Sequence, residues 1–199
     1  TDSRYAAPSE AKARVKMAFE NLNKWQFDIL CKRIDSTARG NIGYEVDALL
    51  EAIGEDAISI IVISYPGSGR ITSGGYLIVN GAPLQKTDVA KDPINPLKKS
   101  FIPSVIQQQS RFKVAHISLE TVLEGTRVLQ LELLNKIMQG NRIIVLDAVT
   151  DDDIEEIAKA MVQLIDYKIV PVDPGPLTAI YSKHMLAKQT DKKKILAAI

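Results

Sequence analysis

The run from Ala57 to Ser64, AISIIVIS, constrains the fold more than any other stretch. It is continuously apolar and rich in Ile and Val, the pattern of a strand covered by helices on both faces, not of one with a solvated side. Before it, Ile42, Val46, Leu49, Leu50 and Ile53 recur at helical spacing, with Gly54 placed as a stop. Downstream the alternation repeats. KVAHISL, RIIVLDA and YKIVPV read as strands, and LETVLEGTRVLQLELLNKIMQ and TDDDIEEIAKAMVQLI read as the helices between them. Strands alternating with helices predict an α/β fold, a mainly parallel sheet with helices on both faces.

Two segments depart from this rhythm. After the glycine-rich turn SYPGSGRITSGG, the run YLIVNGAPLQ places short strand-like pieces on either side of Asn80-Gly81, which predicts an inserted β-hairpin. The segment DPINPLKKSFIP, Asp92 to Pro103, carries three prolines and no periodicity, and is expected to be an ordered excursion or lid leading into a short helix over 104–109. Toward the start, Val15, Ala18, Phe19, Leu22 and Trp25 mark a first helix with Ser9 as its N-cap, and FDILC is read as the strand that follows. On this reading Trp25 and Cys31 are buried, and Thr150 with Asp153 forms a capping box.

Composition removes several classes. The 199 residues fit one domain able to bury a core without disulfides. Twenty-five Lys and Arg against 24 Asp and Glu leave a net charge of +1, with no basic stripe for nucleic acid. No apolar stretch is long enough to span a membrane and TDSRYAAPSE lacks the pattern of a signal peptide, so a cytoplasmic location is the expectation. His116 and His184 give no zinc spacing; the first is expected in the core and the second in solvent.

In open parallel sheets, ligands bind beyond the carboxyl ends of the strands, where loops and helix N-termini gather. The stretch KRIDSTARGN lies there. Arg39 and Lys32 or Arg33 could hold a carboxylate or phosphate, while Asp35 and Ser36 could exchange hydrogen bonds with hydroxyls. The competing structural reading has Asp35 or Ser36 capping the next helix and Arg39 pairing with Asp35. In YPGSGRITSGG, glycines 67, 69, 74 and 75 would let a small anion approach Arg70, against the alternative of a plain hairpin loop with a surface Arg. Asp147, after RIIVL, could be a ligand group, and DPGP from Asp173 to Pro176 reads as a rigid turn. Neither GxGxxG nor GxxxxGK[ST] occurs.

In chain order, TDSR, KRIDSTARGNIGYEVDALL, GRITSGGYLIVNGAPLQKT, DPINPLKKS, IIVLDAVTDDDIEEIA and VPVDPGPLTA together resemble the four-carbon acid sugar kinase family, in its sugar-binding N-terminal domain. The resemblance implies an ATP-dependent kinase acting on threonate, erythronate or an oxo-tetronate, VPVDPGPLTA being closest to the threonate or erythronate branch. It implies that Ser3, Arg4, Lys32, Asp35, Ser36, Arg39, Gly69 and Arg70 meet the acid and its hydroxyls, and it leaves the catalytic base unnamed. The family's acidic N-terminal motif and nucleotide-binding domain are not in these residues. Residues 1–199 are therefore expected to be a sugar-acid-binding domain cut at both ends, inactive alone, with ATP and Mg held elsewhere in the full-length enzyme. The alternative is a non-catalytic module that binds small anions or sugar acids. The oligomeric state stays open, a homo-oligomer included.

Overall fold

In the computed structural model, residues 1–25, 27–92 and 99–197 are described, with side chains as far as residue 188. The elements that frame the sheet are α1 (Pro8–Asn23), β1 (Lys32–Arg33), α2 (Ile42–Ile53), β2 (Ala57–Ile61), β6 (Val114–Ile117), β7 (Ile143–Leu146), α6 (Asp151–Val162), β8 (Lys168–Asp173) and α7 (Pro176–Ala197). The inserted part holds β3 (Arg70–Ser73), β4 (Tyr76–Val79), β5 (Ala82–Pro83) and α3 (Ile102–Gln107); α4 (Leu119–Leu123) and α5 (Thr126–Met138) follow β6. The main sheet has the order β1-β8-β2-β7-β6, every pair parallel.

β2 behaves as its continuous apolar run requires. Ala57, Ile61 and Ile63 face a core shared with α2, α3 and the small sheet, while Ile58, Ile60 and Val62 face a second core with α5, α6 and α7. Each face of the sheet is thus covered by helices, and alternate residues of one strand serve opposite cores. The hairpin is a three-stranded antiparallel meander, β3-β4-β5. Its second turn is Asn80-Gly81, with φ of 50° and 80°, the two left-handed residues of a tight hairpin.

Asp147 ties this small sheet to the large one. Its carboxylate has no exposed surface and accepts the Gly75 N–H at 3.0 and 3.1 Å and the Leu119 N–H at 3.2 Å. Gly75 stands at φ +78°, and a Cβ there would lie 2.5 Å from the Phe101 ring, so glycine is needed for the approach. His116 is partly buried, with Nε2 3.1 Å from Asp147 Oδ2 but outside hydrogen-bond geometry. The Thr150–Asp153 capping box is present, with Asp153 N–H donating to Thr150 Oγ1 at 3.1 Å and Asp153 Oδ2 accepting the Thr150 N–H at 2.8 Å.

Several expectations are corrected. FDILC is not a strand; pairing is confined to Lys32 and Arg33, opposite Val172 and Asp173. Pro171 supplies the reason. Ile34 N–H bonds to the Asp173 carbonyl while Val62 N–H bonds to that of Val172, so alternate residues of β8 face β1 and β2. Pro171 shares the β1 side with Asp173 and has no N–H to carry the ladder back toward Leu30. Phe27, Ile29 and Leu30 instead line a cavity of about 570 Å³ beside Ile169 and Val170.

Cys31 is exposed, because that segment leaves the sheet edge. Trp25 is 79% exposed, because α1 ends at Asn23 and the helical spacing no longer applies beyond it. The first helix starts at Pro8 after Ala7, so Ser9 lies inside it and caps nothing; Pro at the first helical position needs no donor there. The long helix after β6 is two helices, parted at Gly125 with φ +90°. The short helix of the insertion begins at Ile102, ahead of the expected position, with Pro103 in its first turn. His184 is paired with Glu155 at 2.7 Å, not simply solvated. Of the excursion from Asp92 to Pro103, residues 93–98 lie outside the described residues.

Candidate functional site

The loop between β1 and α2 leaves the carboxyl end of the sheet's edge strand, and its shape is set locally. Ala38 holds φ +61° while buried, and Gly40 holds φ +97°. A Cβ on Gly40 would stand 3.1 Å from Arg4 Cγ and 3.2 Å from Arg4 Cα, so a glycine here admits the TDSR segment against the loop. Asn41 fastens that segment by donating through Nδ2 to the carbonyls of Ser3 and Ala6, both at 2.9 Å. Two stretches separated by 27 residues in the chain, TDSR and KRIDSTARGN, thereby form the walls of one cleft of about 400 Å³.

Asp35 organises one half of it. Its carboxylate accepts Arg39 Nε at 2.8 Å, Arg39 Nη2 at 3.3 Å and Thr37 Oγ1 at 2.5 Å, and pairs with Arg4 Nη2 at 3.3 Å. Arg39 also reaches Asp92 at 3.2 Å. Burial pushes the Asp35 carboxyl up, but hydrogen bonds from Arg39 and Thr37 and the charges of Arg39 and Arg4 outweigh it and hold the group below its ordinary value. The same hydrogen bond with Asp35 raises the Arg39 guanidinium above its ordinary value, against burial. This half therefore holds a fixed carboxylate flanked by two guanidiniums, suited to a ligand carrying both negative charge and hydroxyls.

Lys32, Glu45 and Ser3 form the other half. Lys32 Nζ stands 2.5 Å from Glu45 Oε2 and donates to the Arg33 carbonyl at 3.2 Å. Glu45 is 5% exposed and Ser3 4%, and Ser3 Oγ donates to Glu45 Oε1 at 2.6 Å. Arg33 lines the cleft too, its Nη1 donating to the Pro174 carbonyl where Gly175 leaves room for the guanidinium.

Of the residues singled out in the sequence, Ser3, Arg4, Lys32, Asp35 and Arg39 come together in the cleft. Ser36 sits partly buried in the same loop but does not line it. Gly69 and Arg70 belong to the hairpin and do not line it either. Gly69 is in the left-handed region at φ +73°, and Arg70 Nη1 donates to the Ser68 carbonyl. The expected pairing of Arg39 with Asp35 is present, and neither Asp35 nor Ser36 caps α2, whose N-cap is Asn41.

Glu45 and Asn41 were not anticipated as cleft residues. A signal for Glu45 exists: it is three residues after Ile42 and four before Leu49, so it puts a charge on the buried stripe of α2. Among the described residues, no group of three or more His, Cys, Asp or Glu is placed to hold a metal ion. Also among them, no helix is long and apolar enough to cross a membrane.

Residues 1–181 match a family model described as a sugar-binding N-terminal domain. Over 201 aligned residues the chain is 41% identical to the D-erythronate kinase of Heliobacterium modesticaldum, covering 100% of this chain and 46% of that protein. Over 179 residues it is 33% identical to the D-threonate kinase of Bordetella bronchiseptica, covering 90% of this chain and 41% of that one. The chain thus spans less than half the length of these curated relatives.

Among solved structures, it is similar to a Haemophilus influenzae protein with a TM-score of 0.81 at 26% identity, over 92% of this chain and 45% of the other. It is also similar to a Bordetella bronchiseptica domain described as a domain-swapped dimer with bound citrate. That match has a TM-score of 0.74 at 32% identity, over 90% of this chain and 43% of the other.

Proposed function

From the premise that this chain belongs to the sugar-binding N-terminal domain family, we propose that its cleft binds the acid substrate of an ATP-dependent kinase for four-carbon sugar acids, of erythronate or threonate type. The observation that carries the reading is the Arg4–Asp35–Arg39 array beside Lys32–Glu45–Ser3, gathered at the carboxyl end of the sheet's edge strand. Such an array offers bidentate cations to a carboxylate, and carboxylate and serine oxygens to hydroxyls. Relatives named as D-erythronate and D-threonate kinases support the substrate class. In this reading Arg4 and Arg39 hold the acid group, Asp35 with Ser3 receives hydroxyls, and Lys32 pairs with Glu45 beside Ser3.

Among the described residues no group of three or more His, Cys, Asp or Glu is placed to hold a metal ion, and the chain carries neither GxGxxG nor GxxxxGK[ST]. In this reading ATP and Mg are held by sequence of the full-length enzyme outside these 199 residues. What these residues contribute is the binding and orientation of the acceptor, on which in-line phosphoryl transfer depends. A cytoplasmic location and a homodimer complete the proposal, the dimer supported by the domain-swapped relative.

A second reading, acid binding without phosphoryl transfer, is favoured by the citrate recorded in that same relative. Thermal shift of the protein with erythronate, threonate and their isomers, followed by ATP-dependent turnover of the full-length protein on the best binder, separates the two. Stabilisation with turnover supports the kinase, and stabilisation without turnover supports the binding module. Absence of stabilisation by every tetronate refutes the kinase reading, and absence of stabilisation by citrate as well refutes both.

A further inference from the structure

Two contacts of Ser3 compete for one proton. Its Oγ lies 2.6 Å from Glu45 Oε1 and 3.1 Å from Thr1 Oγ1. A carboxylate paired with an ammonium accepts and does not donate, and Glu45 Oε2 stands 2.5 Å from Lys32 Nζ. The Ser3 proton therefore lies toward Glu45, and Thr1 donates to Ser3. What remains on Ser3 for a ligand in the cleft is a lone pair, and an acceptor of this kind matches a hydroxyl and not a carboxylate.

On the basis of the sugar-acid reading of the cleft, we propose that Glu45 is a specificity-determining positioning residue: by accepting the hydrogen bond of the Ser3 hydroxyl it leaves Ser3 an acceptor that receives a ligand hydroxyl and turns away a second carboxylate. Glu45 is suited to the task because it is buried, joins two separate segments through Ser3 and Lys32, and is fixed on the first turn of α2. The ligand then lies in one direction. Its carboxylate goes toward the guanidiniums around Asp35, and a hydroxyl goes to Ser3. A four-carbon monoacid satisfies both halves, whereas the diacid of the same length brings oxygen lone pairs against Ser3 and Glu45. A site with buried polar groups left unmatched discriminates strongly.

The test is isothermal titration of the purified protein with D-erythronate and with meso-tartrate, which differs from it only in having a carboxylate at the far carbon. The expected preference for erythronate is about tenfold or more in the unaltered protein, narrowing to about threefold or less in both Glu45→Gln and Ser3→Ala. A merely structural Glu45 would weaken both acids alike and leave the ratio unchanged. Ser3→Ala keeps the Lys32–Glu45 pair, so it gives the answer even where Glu45→Gln fails to fold. Narrowing in Glu45→Gln with an unchanged ratio in Ser3→Ala assigns the effect to the unmasked Lys32 charge and overturns the proposal. Equal binding of both acids by the unaltered protein overturns it too and leaves the sugar-acid cleft standing, while binding of neither these acids nor any other tetronate refutes the cleft itself.

Discussion

Replacing Asp35 by Asn removes the charge that holds Arg4 and Arg39 in place while keeping the size of the side chain. Asp35 is 12% exposed and takes hydrogen bonds from Arg39 at 2.8 and 3.3 Å and from Thr37, with Arg4 at 3.3 Å. The guanidiniums are partly exposed, so solvent weakens the pair terms, and a net loss of about 2 kcal/mol is expected, within the range for hydrogen bonds to charged groups. For a domain of this size that corresponds to a fall in melting temperature of about 4–8 °C at pH 7.

The loss must also depend on pH. The folded carboxyl titrates below its ordinary value of 3.8, so its contribution is complete above that value and disappears as pH falls through the lower folded one. Urea or thermal unfolding of the two proteins between pH 7 and about pH 2.5 is the assay. The gap should be constant down to about pH 5 and close below about pH 4. A gap absent at pH 7, or one of the same size at the lowest pH, refutes the argument that Asp35 is stabilised as an anion by the two arginines.

Gly40→Ala places a Cβ 3.1 Å from Arg4 Cγ at φ +97°; it should cost about 1–2 kcal/mol in denaturant unfolding and weaken tetronate binding, because Arg4 must move. Thr150→Ala removes the side-chain half of the capping box on α6 and should cost about 1 kcal/mol, with ligand affinity unchanged in titration calorimetry.

The layered fold was readable because its signals are local and agree with one another. The unbroken apolar run at Ala57–Ser64, the stripe of Ile42, Val46, Leu49 and Leu50, the Asn80-Gly81 turn and the Thr150–Asp153 box each carry their own physical cause. What escaped depends on contacts between distant residues. FDILC has strand composition, yet a proline 140 residues later, Pro171, withholds the donor it would need. Cys31 and Trp25 follow the same lesson, since local apolar character does not tell whether a neighbour arrives to cover it.

At the site, residue types in KRIDSTARGN and TDSR indicated a polar pocket, but not how its charges are divided. The pairing of Lys32 with Glu45 requires knowing that α2 turns its fourth residue toward β1. The tie from Asn41 to Ser3 and Ala6 requires knowing that the N-terminal segment lies across the helix start. Arg70 passed the sequence filter because its loop follows a strand, yet the hairpin carries its side chain to the Ser68 carbonyl and away from the cleft lining.

The claim that this cleft holds a four-carbon sugar acid is tested most directly by a crystal structure of the protein grown with D-erythronate. The account predicts the acid between TDSR and KRIDSTARGN, with its carboxylate at Arg4 and Arg39 and a hydroxyl on Ser3. Erythronate bound elsewhere on the molecule, or in the cleft with its carboxylate against Ser3 and Glu45, would contradict it.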